Sequence, residues 1–177
     1  MKFRNLIFIL VIFFVFSCKK ENIKPKLEYN QKANELIKQL INEEKCDCVL
    51  EIPKQTLIEI ENIEYRKFNT TKYYIEKLKL KNKKELDSLN ELSKSFALDT
   101  SFLKSRKIKL IKRDSLQKLF KNINFTTKIC KKGLTYFVKP IFNKEFTIAV
   151  IDYGDAGMCV GIGRRTFEFT NNKWKMK

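Results

Sequence analysis

The feature that most restricts the fold of this chain is a change in its hydrophobic period near residue 107. Before that point, apolar residues recur at spacings of three and four, which is the period of an amphipathic helix. After it, apolar residues alternate with polar ones or form short runs between turn residues, as strands do. Because the helices precede the strands, we predict an α+β domain in which N-terminal helices pack on a C-terminal antiparallel β-meander.

Three segments of the first half carry an apolar stripe at helical spacing: 27–45, 71–80 and 83–97. In the first of them, every apolar residue from Tyr29 to Ile41 falls on one face. Asn82, with Glu85 three residues later, is close to a capping box and predicts where the last of them begins. The segment 56–65 fits either a helix or a strand.

The second half is predicted to contain five strands: 124–130, 134–142, 146–153, 159–170 and 173–176. A further short strand is predicted at 107–110, and a short helix capped by Asp114 follows it. Asn143-Lys144 and Asn171-Asn172 stand where turns are expected. Turns this short join consecutive strands in antiparallel order.

The chain begins with a short apolar segment. Leu6–Phe16 is an unbroken run of eleven apolar residues that follows Lys2 and Arg4 and ends before Ser17-Cys18. A membrane-spanning helix needs roughly 20 apolar residues, so this run is too short to span a bilayer. Its charged start and apolar centre are typical of a secretory signal peptide.

The end of this segment, Val15-Phe16-Ser17-Cys18, resembles the lipobox of bacterial lipoproteins. In that family the cysteine thiol receives a diacylglyceryl group, the preceding peptide is removed, and the new amine is usually acylated. The resemblance implies a signal peptide at 1–17 and a lipidated Cys18. The polar residues that follow, with Pro25, predict that 18–26 is a flexible linker, and the length of the remainder predicts one domain at 27–177. The resemblance also implies a cell-envelope protein held at the outer membrane, on either side. The alternative is an uncleaved signal anchor in which the cysteine is incidental.

The tail carries a second resemblance. The segments "KPIFNKEFTIAVIDYG", "MCVGIG" and "NNKWKMK" are similar to the C-terminal half of small uncharacterised lipoproteins of the Bacteroidota type. This resemblance implies a strand, a turn, an apolar strand, a glycine bend and a final strand that holds Trp174. It implies no catalytic residues.

Four cysteines remain after Cys18: Cys46, Cys48, Cys130 and Cys159. An envelope location permits disulfides. Cys46 and Cys48 are poorly placed to bridge each other, because in an extended chain their Cα atoms lie near the roughly 7 Å limit. A bridge from this pair to Cys130 or Cys159 would contribute about 4 kcal/mol. Buried thiols, a redox dithiol and a four-thiolate metal site are the alternatives. The spacing does not match the usual metal signature, and no cofactor is predicted.

Positive charge is concentrated in one stretch. The chain has 37 basic and 20 acidic residues, and residues 104–139 contain twelve basic residues against one acidic residue, Asp114. Lys107 and Lys109 would share one face of a strand. An anionic contact surface is predicted at Lys104, Arg106, Lys107, Lys109, Lys112 and Arg113. Its partner would be anionic lipid, a glycan or an acidic protein, and the alternative is a solvated face. Nucleic acid is not expected in the envelope.

Catalytic signals are weak. The absence of histidine excludes Ser-His-Asp and Cys-His catalysis and histidine metal sites. Asp152 and Asp155 lie in a glycine-rich stretch that matches neither a phosphate-binding nor a calcium loop. The sequence therefore predicts a lipid-anchored binding or scaffolding module. An envelope enzyme that uses these two carboxylates, and a toxin-neutralising immunity-type lipoprotein, are the alternatives.

Overall fold

The computed structural model describes residues 23–64, 69–116, 129–155 and 163–177, and within them the fold is α+β, as predicted. The helices are α1 (Ile23–Glu44), α2 (Leu57–Glu64), α3 (Thr70–Lys77), α4 (Lys83–Ser93) and α5 (Thr100–Ser105). The strands are β1 (Cys48–Leu50), β2 (Lys109–Ile111), β3 (Leu134–Phe137), β4 (Ile141–Phe142), β5 (Ile148–Asp155), β6 (Gly163–Thr170) and β7 (Lys173–Met176). Within these ranges, no helix has both the length and the apolar character needed to span a bilayer.

The strands form one mixed sheet in the order β2-β1-β3-β5-β6-β7, with β4 also paired to β5. The pairs β3–β5, β5–β6 and β6–β7 are antiparallel, but β1 is parallel to both β2 and β3. The prediction of a purely antiparallel meander was therefore wrong for this half of the sheet. Long connections, 51–108 and 112–133, join the parallel strands. A parallel pair needs such a crossover, whereas short turns impose antiparallel order.

Helix α1 covers one face of the sheet, as its apolar stripe predicts. The stripe from Tyr29 to Ile41 is at most 2% exposed and packs in one cluster with Phe137, Ile151 and Trp174. The helix begins at Ile23, so it includes residues that the sequence assigned to a linker. Pro25 is tolerated there because the first turn of a helix needs no intrahelical N–H bond.

Helices α2 to α4 cover the opposite face. Leu57, Tyr74, Leu78 and Leu86 are buried against β4, β5 and the residue after β3. Within the ambiguous segment 56–65, Leu57–Glu64 is helical. Thr56 and Glu59 form a reciprocal capping box at its start, with N···O distances of 3.2 and 2.8 Å. The predicted cap of α4 is confirmed, since the Asn82 side chain accepts from the Glu85 backbone N–H at 3.0 Å.

Two predicted strands differ from the observed ones. The segment 134–142 divides into β3 and β4 around Pro140, which lacks the N–H that a continuous ladder needs. The strand predicted at 107–110 begins only at Lys109, because Lys107 adopts a left-handed conformation (φ 56°) in the turn after α5. Lys107 and Lys109 therefore do not share a strand face, which corrects that prediction.

The C-terminal hairpin is as predicted, with Asn171 and Asn172 at φ 53° and 59° in the turn before β7. Asparagine tolerates this left-handed conformation better than most residues do. The predicted strand 124–130 and the helix after Asp114 fall largely outside the described residues. Of that helix the structure describes a 3-10 turn at Arg113–Ser115.

Candidate functional site

Exposed lysines gather where three parallel strands begin. Because β1, β2 and β3 run in the same direction, the residues at their amino ends lie at one edge of the sheet. Each strand brings at least one exposed lysine to this edge. We call this set the amino-end lysine cluster, and it consists of Lys45, Lys107, Lys109, Lys131 and Lys132.

Hydrogen bonds centred on Asp47 tie the three chain segments together. Its backbone carbonyl accepts from the Lys109 N–H at 2.9 Å, and its carboxylate accepts from the Lys132 N–H at 3.1 Å. The Lys109 ammonium donates to the carbonyl of Ile129 at 2.9 Å. Asp155 lies nearby at the end of β5, opposite Thr135 of β3. This hydrogen-bonded frame therefore holds five ammonium groups at the edge, with the carboxylates of Asp47 and Asp155 beside them and the exposed Glu43 and Glu44 directly before Lys45.

A disulfide reinforces this frame. It joins Cys48, the first residue of β1, to Cys130, which precedes Lys131, and the two cysteines are 82 residues apart in the chain. This is one of the pairings that the sequence left open. Cys46 is a free, buried thiol whose pKa is raised by burial. Cys18 and Cys159 lie outside the described residues.

The structure distributes the six predicted contact residues over two ends of the sheet. Lys107 and Lys109 belong to the amino-end lysine cluster, and the exposed Lys104 and Arg106 extend it through α5 and the following turn. The other two, Lys112 and Arg113, follow the carboxyl end of β2. The six predicted residues therefore do not form one continuous surface.

Arg113 is also engaged within the protein. Its Nε donates to the carbonyl of Glu51 at 2.7 Å, and its backbone N–H donates to the Glu51 carboxylate at 3.2 Å. Burial of the guanidinium lowers the pKa of Arg113. Lys45, Lys131 and Lys132, by contrast, are exposed cluster members that sequence reasoning did not select. Their position at this edge follows from the parallel pairing of β1 with β2 and β3, which the sequence analysis did not predict.

The two aspartates of the alternative enzyme do not converge. Asp152 lies within β5, where its carboxylate accepts from the Tyr136 hydroxyl at 3.0 Å, and burial raises its pKa. Asp155 is three residues further along the same strand. Side chains three apart on a strand point to opposite faces of the sheet. The two carboxylates therefore cannot act as a pair on one substrate.

Comparison with known proteins found none that is similar to this chain. No protein family, curated protein or solved structure matches the chain. The chemistry of the candidate site is therefore inferred from its own residues alone. It is a cationic edge, built on the start of three strands and held by backbone hydrogen bonds and one disulfide.

Proposed function

We propose that this protein is a lipid-anchored binding module of the bacterial cell envelope, and that its amino-end lysine cluster binds an acidic partner protein. The observation that carries the proposal is the convergence of five exposed lysines at one edge of the sheet. They come from chain segments that are far apart in sequence, so the fold itself concentrates the charge.

The position of the anchor favours a partner beyond the bilayer. Cys18 is five residues before Ile23, so this tether spans at most about 18 Å. Helix α1 has 22 residues and is therefore about 33 Å long. The lysine cluster begins just after its carboxyl end, at Lys45, while a lipid on Cys18 would hold its amino end. A cluster at that distance is better placed for another protein than for the headgroups around its own anchor.

The positive charge of the amino-end lysine cluster favours recognition of an acidic surface. A single exposed ion pair contributes only about 0 to 1 kcal/mol, so one lysine would achieve little. A predominantly positive patch instead raises the rate of association and selects partners of opposite charge. Because exposed charges are screened over about 8 Å at physiological ionic strength, binding should weaken as salt is added.

The test is amine cross-linking of the tagged, anchored protein in its own envelope, followed by identification of the captured species. The charge-reversed variant carries Lys107→Glu, Lys131→Glu and Lys132→Glu. All three side chains are exposed, so the fold should persist. We expect one stoichiometric acidic partner with the native protein and its loss with the variant. Retention of that partner by the variant would contradict the proposal, as would capture of lipid or glycan in its place.

A matched control separates a specific site from total charge. Lys81, Lys84 and Lys144 lie together around the start of α4 and are also exposed. Reversal of these three lysines makes the same change in net charge, and the partner should remain bound. The anchor is tested separately, since Cys18→Ala should leave an uncut, unlipidated precursor. Normal processing of that variant would exclude lipidation at this residue.

A further inference from the structure

A cleft opens at the opposite end of the parallel strands. Strands β1 and β3 leave the sheet at their carboxyl ends, and a cavity of about 320 Å³ lies between the segments that follow them. In sheets with parallel strands, this end is where ligands usually bind. Leu110, a wall residue, is 42% exposed although it is apolar. The walls are mainly apolar and include Ile52, Pro53, Phe96, Leu98 and Leu110.

One buried cation lies in this apolar cleft. Lys139 follows β3, lines the cleft and is only 7% exposed. Its ammonium donates one hydrogen bond, to the carbonyl of Lys54 at 2.6 Å. Among the described residues, no acceptor takes either of its other two hydrogens. Lysine is almost never fully buried without a charged partner, and this ammonium has two hydrogens left for a further acceptor.

The nearest carboxylates are engaged elsewhere. Glu59 pairs with Lys94 at 3.3 Å, and Glu51, at the cleft, accepts a hydrogen bond from the Arg113 backbone. Burial lowers the pKa of Lys139, the charge of Lys94 acts in the same direction, and the charge of Glu59 opposes them. Within the described ranges, Lys139 forms no ion pair.

We propose that this cleft binds a small organic carboxylate with an apolar body. The carboxylate would accept hydrogen bonds from the Lys139 ammonium, and the apolar walls would cover the body. Lys54 and Glu51 also line the cleft and their charges offset each other, so the Lys139 ammonium favours a monoanion over a phosphate dianion. The volume is close to the lower limit of small-molecule sites, about 300 Å³, so the body is about the size of an aromatic ring. The site requires neither the lipid anchor nor the lysine cluster.

Isothermal titration calorimetry of the purified full-length protein tests this site, with phenylacetate as the probe and phenylacetamide as its neutral isostere. We expect saturable binding of the carboxylate and much weaker binding of the amide. Lys139→Met keeps the apolar stem and removes the charge. It should weaken phenylacetate binding about 10- to 100-fold, the value of a charge-assisted hydrogen bond. The exposed Lys144→Met should bind normally.

Covalent labelling gives a second measurement that needs no variant. Phenylacetate should slow the acetylation of Lys139 in the native protein and leave Lys144 unaffected. Affinity should also fall as pH rises through the lowered pKa of Lys139, because the ammonium is lost while the carboxylate stays ionised. Absence of saturable binding, equal binding of the amide, or unchanged affinity in Lys139→Met would each overturn the proposal.

Discussion

Opening the Cys48–Cys130 disulfide should remove a large part of the stability of this fold. The bridge spans a sequence separation of 82 residues, so in the unfolded chain it closes a long loop. The chain-entropy relation for a loop of this length gives about 15 cal/mol/K, or about 4.5 kcal/mol at 25 °C. Since whole domains are stable by only about 5 to 15 kcal/mol, the bridge provides a substantial share.

The measurement is urea unfolding followed by tryptophan fluorescence. Trp174 is the only tryptophan of the chain and is 2% exposed, so unfolding should shift its emission to the red. The native protein is compared with and without reductant, and with the double variant Cys48→Ala, Cys130→Ala. We expect the reduced protein and the double variant to lose similar amounts of unfolding free energy.

The free thiol provides the control for this experiment. Cys46 is buried two residues before Cys48 but is not bridged, so Cys46→Ala should respond to reductant as the native protein does. A loss below about 1 kcal/mol on reduction would refute the loop-entropy reasoning, because the model predicts several times more. A Cys46→Ala variant that no longer responds to reductant would refute the observed pairing.

Two other interactions give predictions of different kinds. Arg164 and Glu61 form an ion pair at 3.0 Å, and Glu61 is only 5% exposed. Arg164→Met or Glu61→Gln should therefore each lower the free energy of unfolding by about 3 to 5 kcal/mol. In urea unfolding, the double variant should lose much less than the sum of the two single losses, and additive losses would contradict direct coupling. The Asp99 carboxylate accepts hydrogen bonds from Lys38 and Ser101, which lower its pKa below the ordinary 3.8. The stability it contributes is therefore full above that value and is lost as pH falls through the folded-state pKa. Asp99→Asn should reduce the acid sensitivity of the urea midpoint, and an unchanged pH profile would exclude this contribution.

Local patterns predicted the local structure well. The stripe from Tyr29 to Ile41 predicted both the helix and its buried face, because an amphipathic period is visible within a few turns. The Asn82 cap was also readable, since the cap and its partner are three residues apart. The turn at Asn171-Asn172 was predicted for the same reason. The start of α1 and the split of 134–142 were missed, although Pro25 and Pro140 stand at these positions.

The disulfide of the candidate site could be predicted only in part from the sequence. Sequence reasoning indicated that a bridge, if one formed, would join the Cys46, Cys48 pair to Cys130 or Cys159, because the spacing within the pair is unfavourable. It could not select Cys48 and Cys130, because that choice depends on β1 lying beside β3. The basic stretch was recognised as well, but its residues proved to lie at two ends of the sheet.

Local sequence patterns were sufficient to predict the class of the fold, the major helices and the antiparallel C-terminal strands, and they also revealed the concentration of positive charge. The parallel pairing of β1 with β2 and β3 became visible only in the folded chain. That pairing places Asp47 beside Lys132 at one end and leaves Lys139 buried in an apolar cleft at the other. This difference arises because hydrophobic periods and caps act within a few residues. Strand pairing, and with it the environment of each charge, depends on contacts between residues that are distant in the chain.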